Sequence, residues 1–272
     1  MKTIYWLITL LFILPIVASA ETSVELLRKR LQFPAVGGHQ GLMSLKPFSD
    51  TLGAFEKARR DGVDIVEMDL HISKDGVPVI YHDDQLDRWT DCKGKVQDKN
   101  LDELKKCQFN TDKSAKIPTF EEVLQWSQGR VVVNAEFKED NSIEPAIRLV
   151  EKYNALSWTY FQTKNSRQKY LKARKTNETV ALLYVIDNRA ELDWVFSLND
   201  PALLVIELHP QVRTEEIISL IHTAGKLSSE NSWHFSKSNE LFGATCTELF
   251  KLKIDIAISN RPKSCLQQKK NF

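Results

Sequence analysis

Apolar positions along this chain recur in two alternating rhythms. PAVGGH (34–39), DIVEMDLHIS (64–73), VPVIYH (77–82), RVVVNAEFK (130–138), TYFQT, TVALLYVI, ALLVIELHP and KIDIAIS (253–259) are short runs rich in branched and aromatic residues, which predicts strands. Between them, SVELLRKRLQF, TLGAFEKARRDG, FEEVLQWSQ, IEPAIRLVEKYNA, SRQKYLKARK, RAELDWVFSL, EEIISLIHTAGK and a stretch near 239–251 predict helices. Asp50 reads as the N-cap of TLGAFEKARRDG and Gly62 as its C-terminal stop. The KDG turn between 64–73 and 77–82 predicts a hairpin. Residues 85–118 are polar and lack a strong period, which predicts an inserted loop region.

Strand–helix alternation through the chain implies an α/β fold with a parallel sheet. Counted with LSSENSW, the strand-like segments number about nine where a closed (β/α)8 TIM barrel takes eight, so one lies outside the barrel. A doubly wound open sheet is the alternative. Such sheets usually carry a GxGxxG first turn, and GGHQG does not match it.

The two ends and the composition add the compartment. MKTIYWLITLLFILPIVASA has one Lys, an apolar run and a small-residue Ala18-Ser19-Ala20 site, which reads as a secretory signal over residues 1–20. Its apolar run is shorter than the ~20 residues of a spanning helix, and no later run is a transmembrane segment. Residues 21–272 then form a single domain in an exported chain, periplasmic or extracellular. Without the first 20 residues the formal charge is zero, which gives no support to nucleic acid or an anionic membrane as partner. Cys92, Cys107, Cys246 and Cys265 are an even set, expected to form two disulfides in an exported chain. Three pairings are open, with Cys92–Cys107 and Cys246–Cys265 preferred. No CxxC spacing favours zinc.

Strand alternation gathers the chemistry. Residues two apart share a face, so Glu67 pairs with Asp69 and Glu136 with Lys138. His39 ends the first strand and His82 the third, and the C-terminal ends of barrel strands converge on one pocket. Three carboxylates without a thiolate suit one hard divalent cation, Mg²⁺ or Ca²⁺. Two imidazoles beside it can serve as general acid and base, and Lys138 adds a fixed positive charge. Together these groups can cleave a phosphodiester. His71 would share the face of Asp69, but reads as a pocket-edge or structural residue. Asp83 and Asp84 read as loop residues that orient His82.

The series GGHQG, SDTLGAFEKARRDGVDIVEMDLHISKDGVPVIYHDDQLDRWTDCKGKV, LDELKK, IPTFEEVL and NAEFK resembles the glycerophosphodiester phosphodiesterase family, from about residue 35 to 140. The later half is similar in its rhythm and in DIAISNRP. The resemblance implies a (β/α)8 barrel with a small insertion after the third strand. It implies Glu67, Asp69 and Glu136 as metal ligands, His39 and His82 as the acid–base pair, and Lys138 as a phosphate-binding lysine. The implied reaction splits a small-molecule glycerophosphodiester into glycerol 3-phosphate and an alcohol.

The chain also departs from the family pattern. Gln40 stands where the family has Arg, so the bidentate charged grip on phosphate is replaced by an amide. Ser49-Asp50-Thr51 replaces Glu-Asn-Thr, and Asn260 replaces the closing Asp. These changes leave two other readings open: a lysophospholipid or sphingolipid substrate, or a barrel that binds a phosphorylated ligand without turnover. Elsewhere, Asn177-Glu178-Thr179 reads as a chance sequon, and His209 and His222 as structural residues in apolar surroundings. Trp89, Trp126, Trp158 and Trp194 read as packing, and Lys269-Lys270 as a frayed tail.

Overall fold

Seven of the apolar runs, together with Leu227–Asn231 of LSSENSW, become parallel strands that close into a ring. A computed structural model describes residues 21–43, 49–110, 112–234 and 244–272; the predicted signal segment lies outside them. The strands are β1 (Ala35–Gly38), β2 (Ile65–Ile72), β3 (Pro78–Ile80), β4 (Val132–Phe137), β5 (Thr159–Gln162), β6 (Ala181–Ile186), β7 (Leu203–Leu208), β8 (Leu227–Asn231) and β9 (Ile256–Ser259). β1 pairs in parallel with both β2 and β9, and this double pairing closes the barrel and excludes the open doubly wound sheet. The strand outside the ring is β3. Among the described strands it pairs with β2 alone, antiparallel, through the predicted hairpin, so that Leu70 faces Ile80, and Val79 adds an isolated bridge to Thr119.

Alternation divides each strand between two cores. Val66, Met68, Leu70, Val133, Ala135 and Phe137 point outward into the layer beneath the helices. Ala35, Ile65, Val132, Tyr160, Val205, Leu227 and Ile256 fill the lower interior, with Leu27 and Leu31 from α1 (Ser23–Arg30) and its C-terminal side closing the bottom. The same inward face becomes polar toward the C-terminal ends of the strands. Glu67 and Asp69 continue the line of Ile65, and Glu136 continues that of Val132; Asp69 lies in register with Glu136. One face of each strand thus supplies first a plug and then a site.

Helices cover the ring: α2 (Leu52–Asp61), α4 (Phe120–Ser127), α5 (Ile143–Lys152), α6 (Arg167–Thr176), α7 (Arg189–Ser197), α8 (Glu215–Thr223), α9 (Ala244–Lys251) and α10 (Pro262–Lys269). Local chemistry sets their ends. Thr119 and Glu122 form a capping box on α4. Gly62 ends α2 at φ 96°, a left-handed stop as expected. The N-cap of α2 is Thr51, whose hydroxyl accepts from Ala54 N at 3.1 Å. Asp50 is not the cap: it sits at φ 57° with its carboxylate turned into the barrel mouth.

The insertion after β3 has a small core of its own. Leu86, Val96, Leu104 and Phe109 pack with Val79 and Tyr81 of the hairpin. It contains the short helix α3 (Leu101–Lys106), fastened by a bond from Leu101 N to Asp75 of the KDG turn at 2.9 Å. Cys92 is bonded to Cys107 within it, and Cys246 to Cys265 joins α9 to α10. Lys269 is not part of a frayed tail. Its ammonium reaches Asp64 at 2.8 Å and the Gln32 carbonyl at 2.7 Å. Among the described residues no helix is long and apolar enough to cross a membrane.

Candidate active site

The barrel mouth holds a buried set of carboxylates. Glu67, Asp69 and Glu136 each offer an oxygen within 4.8 Å of the others, and all three side chains are buried. Asp50 joins them from the loop before α2, accepting from Asp69 N at 3.4 Å. Among the described residues two ammonium groups answer this charge. Lys138 lies 2.6 Å from Asp69 and 3.0 Å from Glu136, and Lys164, at the end of β5, lies 2.6 Å from Glu136.

The charges do not balance evenly. Burial, then the charges of Asp69 and Glu136, push Glu67 well above the usual carboxylate range. Burial, Asp69 and Glu67 do the same to Asp50. For Asp69, burial acts upward but is outweighed by Lys138 and the two nearby histidines, so its carboxyl is held low. For Lys138, burial acts downward and is outweighed by Asp69 and Glu136, so its ammonium is held charged. One oxygen of Asp69 and one of Asp50 are buried without a hydrogen-bond partner. Four carboxylates against two ammoniums, with orphaned oxygens, fit a divalent cation held by Glu67, Asp69 and Glu136.

The two histidines approach from different supports. Gly38 ends β1 where a Cβ would come 2.1 Å from Gly41 O, so only glycine allows the chain to fold back here. That turn delivers His39 and Gln40. His39 Nε2 lies 3.9 Å from Glu67 Oε2, its Nδ1 lies 2.6 Å from Asn260 Oδ1, and its ring stacks on Trp233 at 4.4 Å. Burial lowers its pKa below the usual imidazole value. Gln40 N donates to Glu67 Oε2 at 2.9 Å, while its side-chain Nε2 is buried and unpaired.

His82 arrives by the hairpin. β3 runs antiparallel, so the rule that barrel strand ends converge does not apply to it. The turn folds the chain back instead, with Tyr81 N bonded to Asp69 O at 3.0 Å. His82 is half exposed, and its Nδ1 bonds Asp83 Oδ1 at 2.6 Å. Trp89 Nε1 donates to the other oxygen of Asp83 at 3.0 Å. Trp89 is therefore more than packing. With Gln40, Ser49, Asp50, Tyr81, His82 and Phe109 it lines a cleft beside the carboxylates. Trp126, Trp158 and Trp194 do pack as expected, against Phe55, Arg30 and Tyr184.

His39, Gln40, Glu67, Asp69, His82, Glu136 and Lys138, selected from sequence for the site, lie at this mouth, and the four selected cysteines form the two disulfides. Sequence reasoning gave no site role to Lys164, Trp89 or Trp233, and named Asp50 and Asn260 only as a helix cap and as departures from the family pattern. Lys164 and Asn260 each follow a barrel strand, a position that could have signalled them. Outside the mouth, Asn177 bonds Thr179 N at 2.7 Å and Val180 N at 3.0 Å, a turn-forming role. His222 bonds Asp255 at 2.8 Å and Ser228 at 3.2 Å, a structural arrangement made by polar groups. His209 is exposed, so it does not sit in the apolar surroundings expected of it.

Residues 39–204 match the model of the glycerophosphoryl diester phosphodiesterase family. A probable glycerophosphodiester phosphodiesterase 2 of Mycobacterium tuberculosis is 32% identical over 117 residues, covering 43% of each chain. The chain spans 43% and 60% of the lengths of the first two relatives it matches. Among solved structures, a glycerophosphoryl diester phosphodiesterase from Parabacteroides distasonis superposes with a TM-score of 0.78 at 18% identity, over 92% of each chain. A phosphodiesterase from Oleispira antarctica, in complex with the product sn-glycerol-3-phosphate, does so with a TM-score of 0.73 at 22% identity, over 88% of this chain and 97% of that one. At these identities the superpositions speak for the fold.

Proposed function

This chain belongs to the glycerophosphoryl diester phosphodiesterase family, and from that premise we propose that it is an exported, metal-dependent phosphodiesterase that hydrolyses glycerophosphodiesters to glycerol 3-phosphate and an alcohol. The observation that carries the reading is three buried carboxylates within 4.8 Å of one another, with His39 Nε2 3.9 Å from one of them. The two disulfides accord with an oxidising compartment. The product named in the Oleispira antarctica complex accords with the substrate class.

Glu67, Asp69 and Glu136 hold the cation, Mg²⁺ or Ca²⁺. When bound, it supplies Lewis-acid stabilisation of charge on the phosphoryl oxygens. The chain's own groups handle the protons. With Asn260 Oδ1 as acceptor, His39 Nδ1 carries the hydrogen and Nε2 keeps its lone pair toward the carboxylates. Burial favours this neutral ring, which suits a general base that takes the proton of the substrate's attacking glycerol hydroxyl. His82, oriented through Nδ1 by Asp83, protonates the departing alkoxide from Nε2. Water then opens the resulting cyclic phosphate with the two roles reversed. Lys138 places a charged donor at the carboxylates for the phosphate. The unpaired Nε2 of Gln40 donates to a phosphoryl oxygen where the family pattern has a guanidinium.

The test is product analysis with glycerophosphocholine, glycerophosphoethanolamine and a lysophosphatidylcholine, each with Mg²⁺ or Ca²⁺. Release of sn-glycerol 3-phosphate from the first two supports the reading. Choline release from the lysolipid alone moves the substrate to lipid, and no turnover of any diester with either ion leaves a binding barrel.

A further inference from the structure

Beyond the three-carboxylate centre, a second group of ligand atoms converges at the rim. His71, Asp84 and Glu139 each offer an atom within 4.8 Å of the others. They come from the end of β2, the loop after β3 and the residue pair following β4. His71 shares the inward face of Glu67 and Asp69, one step nearer the mouth.

The hydrogen bonds within this group are incomplete. His71 is 1% exposed. Its Nδ1 meets Glu139 Oε1 at 2.5 Å, which accounts for one oxygen of that carboxylate. The other, Oε2, is buried and has no partner. His71 Nε2 has a long contact, 3.4 Å, to the carbonyl of His82. Among the described residues the Asp84 carboxylate makes no hydrogen bond or ion pair. Lys169 feels the field of Glu139, but its ammonium is bonded to the carbonyls of Phe137 and Lys138 at 2.7 and 2.8 Å. Among the described residues, two carboxylates and an imidazole therefore meet with no ammonium or guanidinium bonded to them.

We propose that His71, Asp84 and Glu139 bind a second divalent cation, a first-row transition ion of the Zn²⁺ or Mn²⁺ kind. The donor set makes the distinction from the first site: one imidazole with two carboxylates suits these ions, whereas three carboxylates suit Mg²⁺ or Ca²⁺. Nδ1 exchanges its contact with Glu139 Oε1 for the ion while Nε2–H keeps its long contact to the His82 carbonyl, and Glu139 Oε2 gains the partner it lacks. Because Asp84 lies two residues beyond His82, the ion ties the loop carrying His82 to the ends of β2 and β4.

The test is titration of the purified chain with Zn²⁺ in saturating Mg²⁺, read by calorimetry and by metal analysis after dialysis. One Zn²⁺ per chain is expected, with affinity reduced at least about tenfold in Asp84→Asn, a change at an exposed side chain. His71→Gln should lower it similarly, and Glu67→Gln should retain the zinc. No zinc uptake in Mg²⁺, wild-type affinity in Asp84→Asn, or loss of the zinc in Glu67→Gln would each overturn the proposal. The readout is binding, so it stands or falls separately from phosphodiesterase turnover.

Discussion

His39 and His82 occupy opposite environments, and their proposed roles follow from that contrast. His39 is largely enclosed between Asn260 and Trp233, while His82 stands half exposed on a hairpin, steered by Asp83. His82→Ala should fold as wild type and lose about 10²–10⁴-fold in kcat/KM, the span typical of a general acid; steady-state kinetics with circular dichroism checks both halves. Trp89→Phe is subtler. It keeps the ring but removes the hydrogen bond to Asp83, so kcat should fall several-fold with little change in KM. Equal kinetics would show that Asp83 needs no second support. At this scale the carboxylates and Lys138 were legible, because alternation and strand ends are local facts. Asp50 was misread because Asp is a good cap; its left-handed φ and its buried neighbours arise only when the barrel closes. Trp233 and Asn260 come to His39 across more than 190 residues; the place of Asn260 after a barrel strand marks it as a mouth residue without announcing this contact.

The hairpin and the insertion make one element with the site's exposed histidine at its edge. Apolar runs and the KDG turn made β2 and β3 readable, but not which strand stands outside the ring. Both runs are β-rich, and only pairing distinguishes a barrel strand from a flap. The insertion, legible as polar and aperiodic, has a core that its short apolar residues do not advertise. Its disulfide closes a separation of 15 residues, worth roughly 3 kcal/mol in the chain-entropy model. A Cys92→Ser/Cys107→Ser double variant should therefore exchange amide hydrogens faster across 85–118 while β4 to β7 remain protected. Because Trp89 loses its frame there, turnover should fall as well. Uniform protection in hydrogen-exchange mass spectrometry would contradict this division of labour.

Across the whole molecule, the interior changes from an apolar plug to a polar mouth, and the mouth concentrates charge beyond the carboxylate centre. Burial raises Glu207 and Glu230 to a pKa of about 7, against the opposing charges of Lys164 and Arg213 respectively. Their folded pKa values exceed the unfolded ones, so the native state binds more protons between about 4.5 and 7. The stability this confers is present below that window and is lost as pH rises through 7. Denaturant unfolding of Glu230→Gln should consequently gain on wild type between pH 5 and pH 8 by about 1–3 kcal/mol, and a constant difference would refute the assignment. Barrel closure itself was legible from alternation and count, whereas these two acids were passed over because each lies in a run that reads simply as strand.

The central claim is that the carboxylate centre and His39 act together on a phosphodiester. The most direct measurement is kcat/KM for glycerophosphocholine before and after chelation, in wild type and in His39→Ala. The account predicts that chelation abolishes wild-type turnover, that Mg²⁺ or Ca²⁺ restores it, and that His39→Ala stays at least about 10²-fold lower with the ion present. Turnover that survives both chelation and loss of His39 would contradict it.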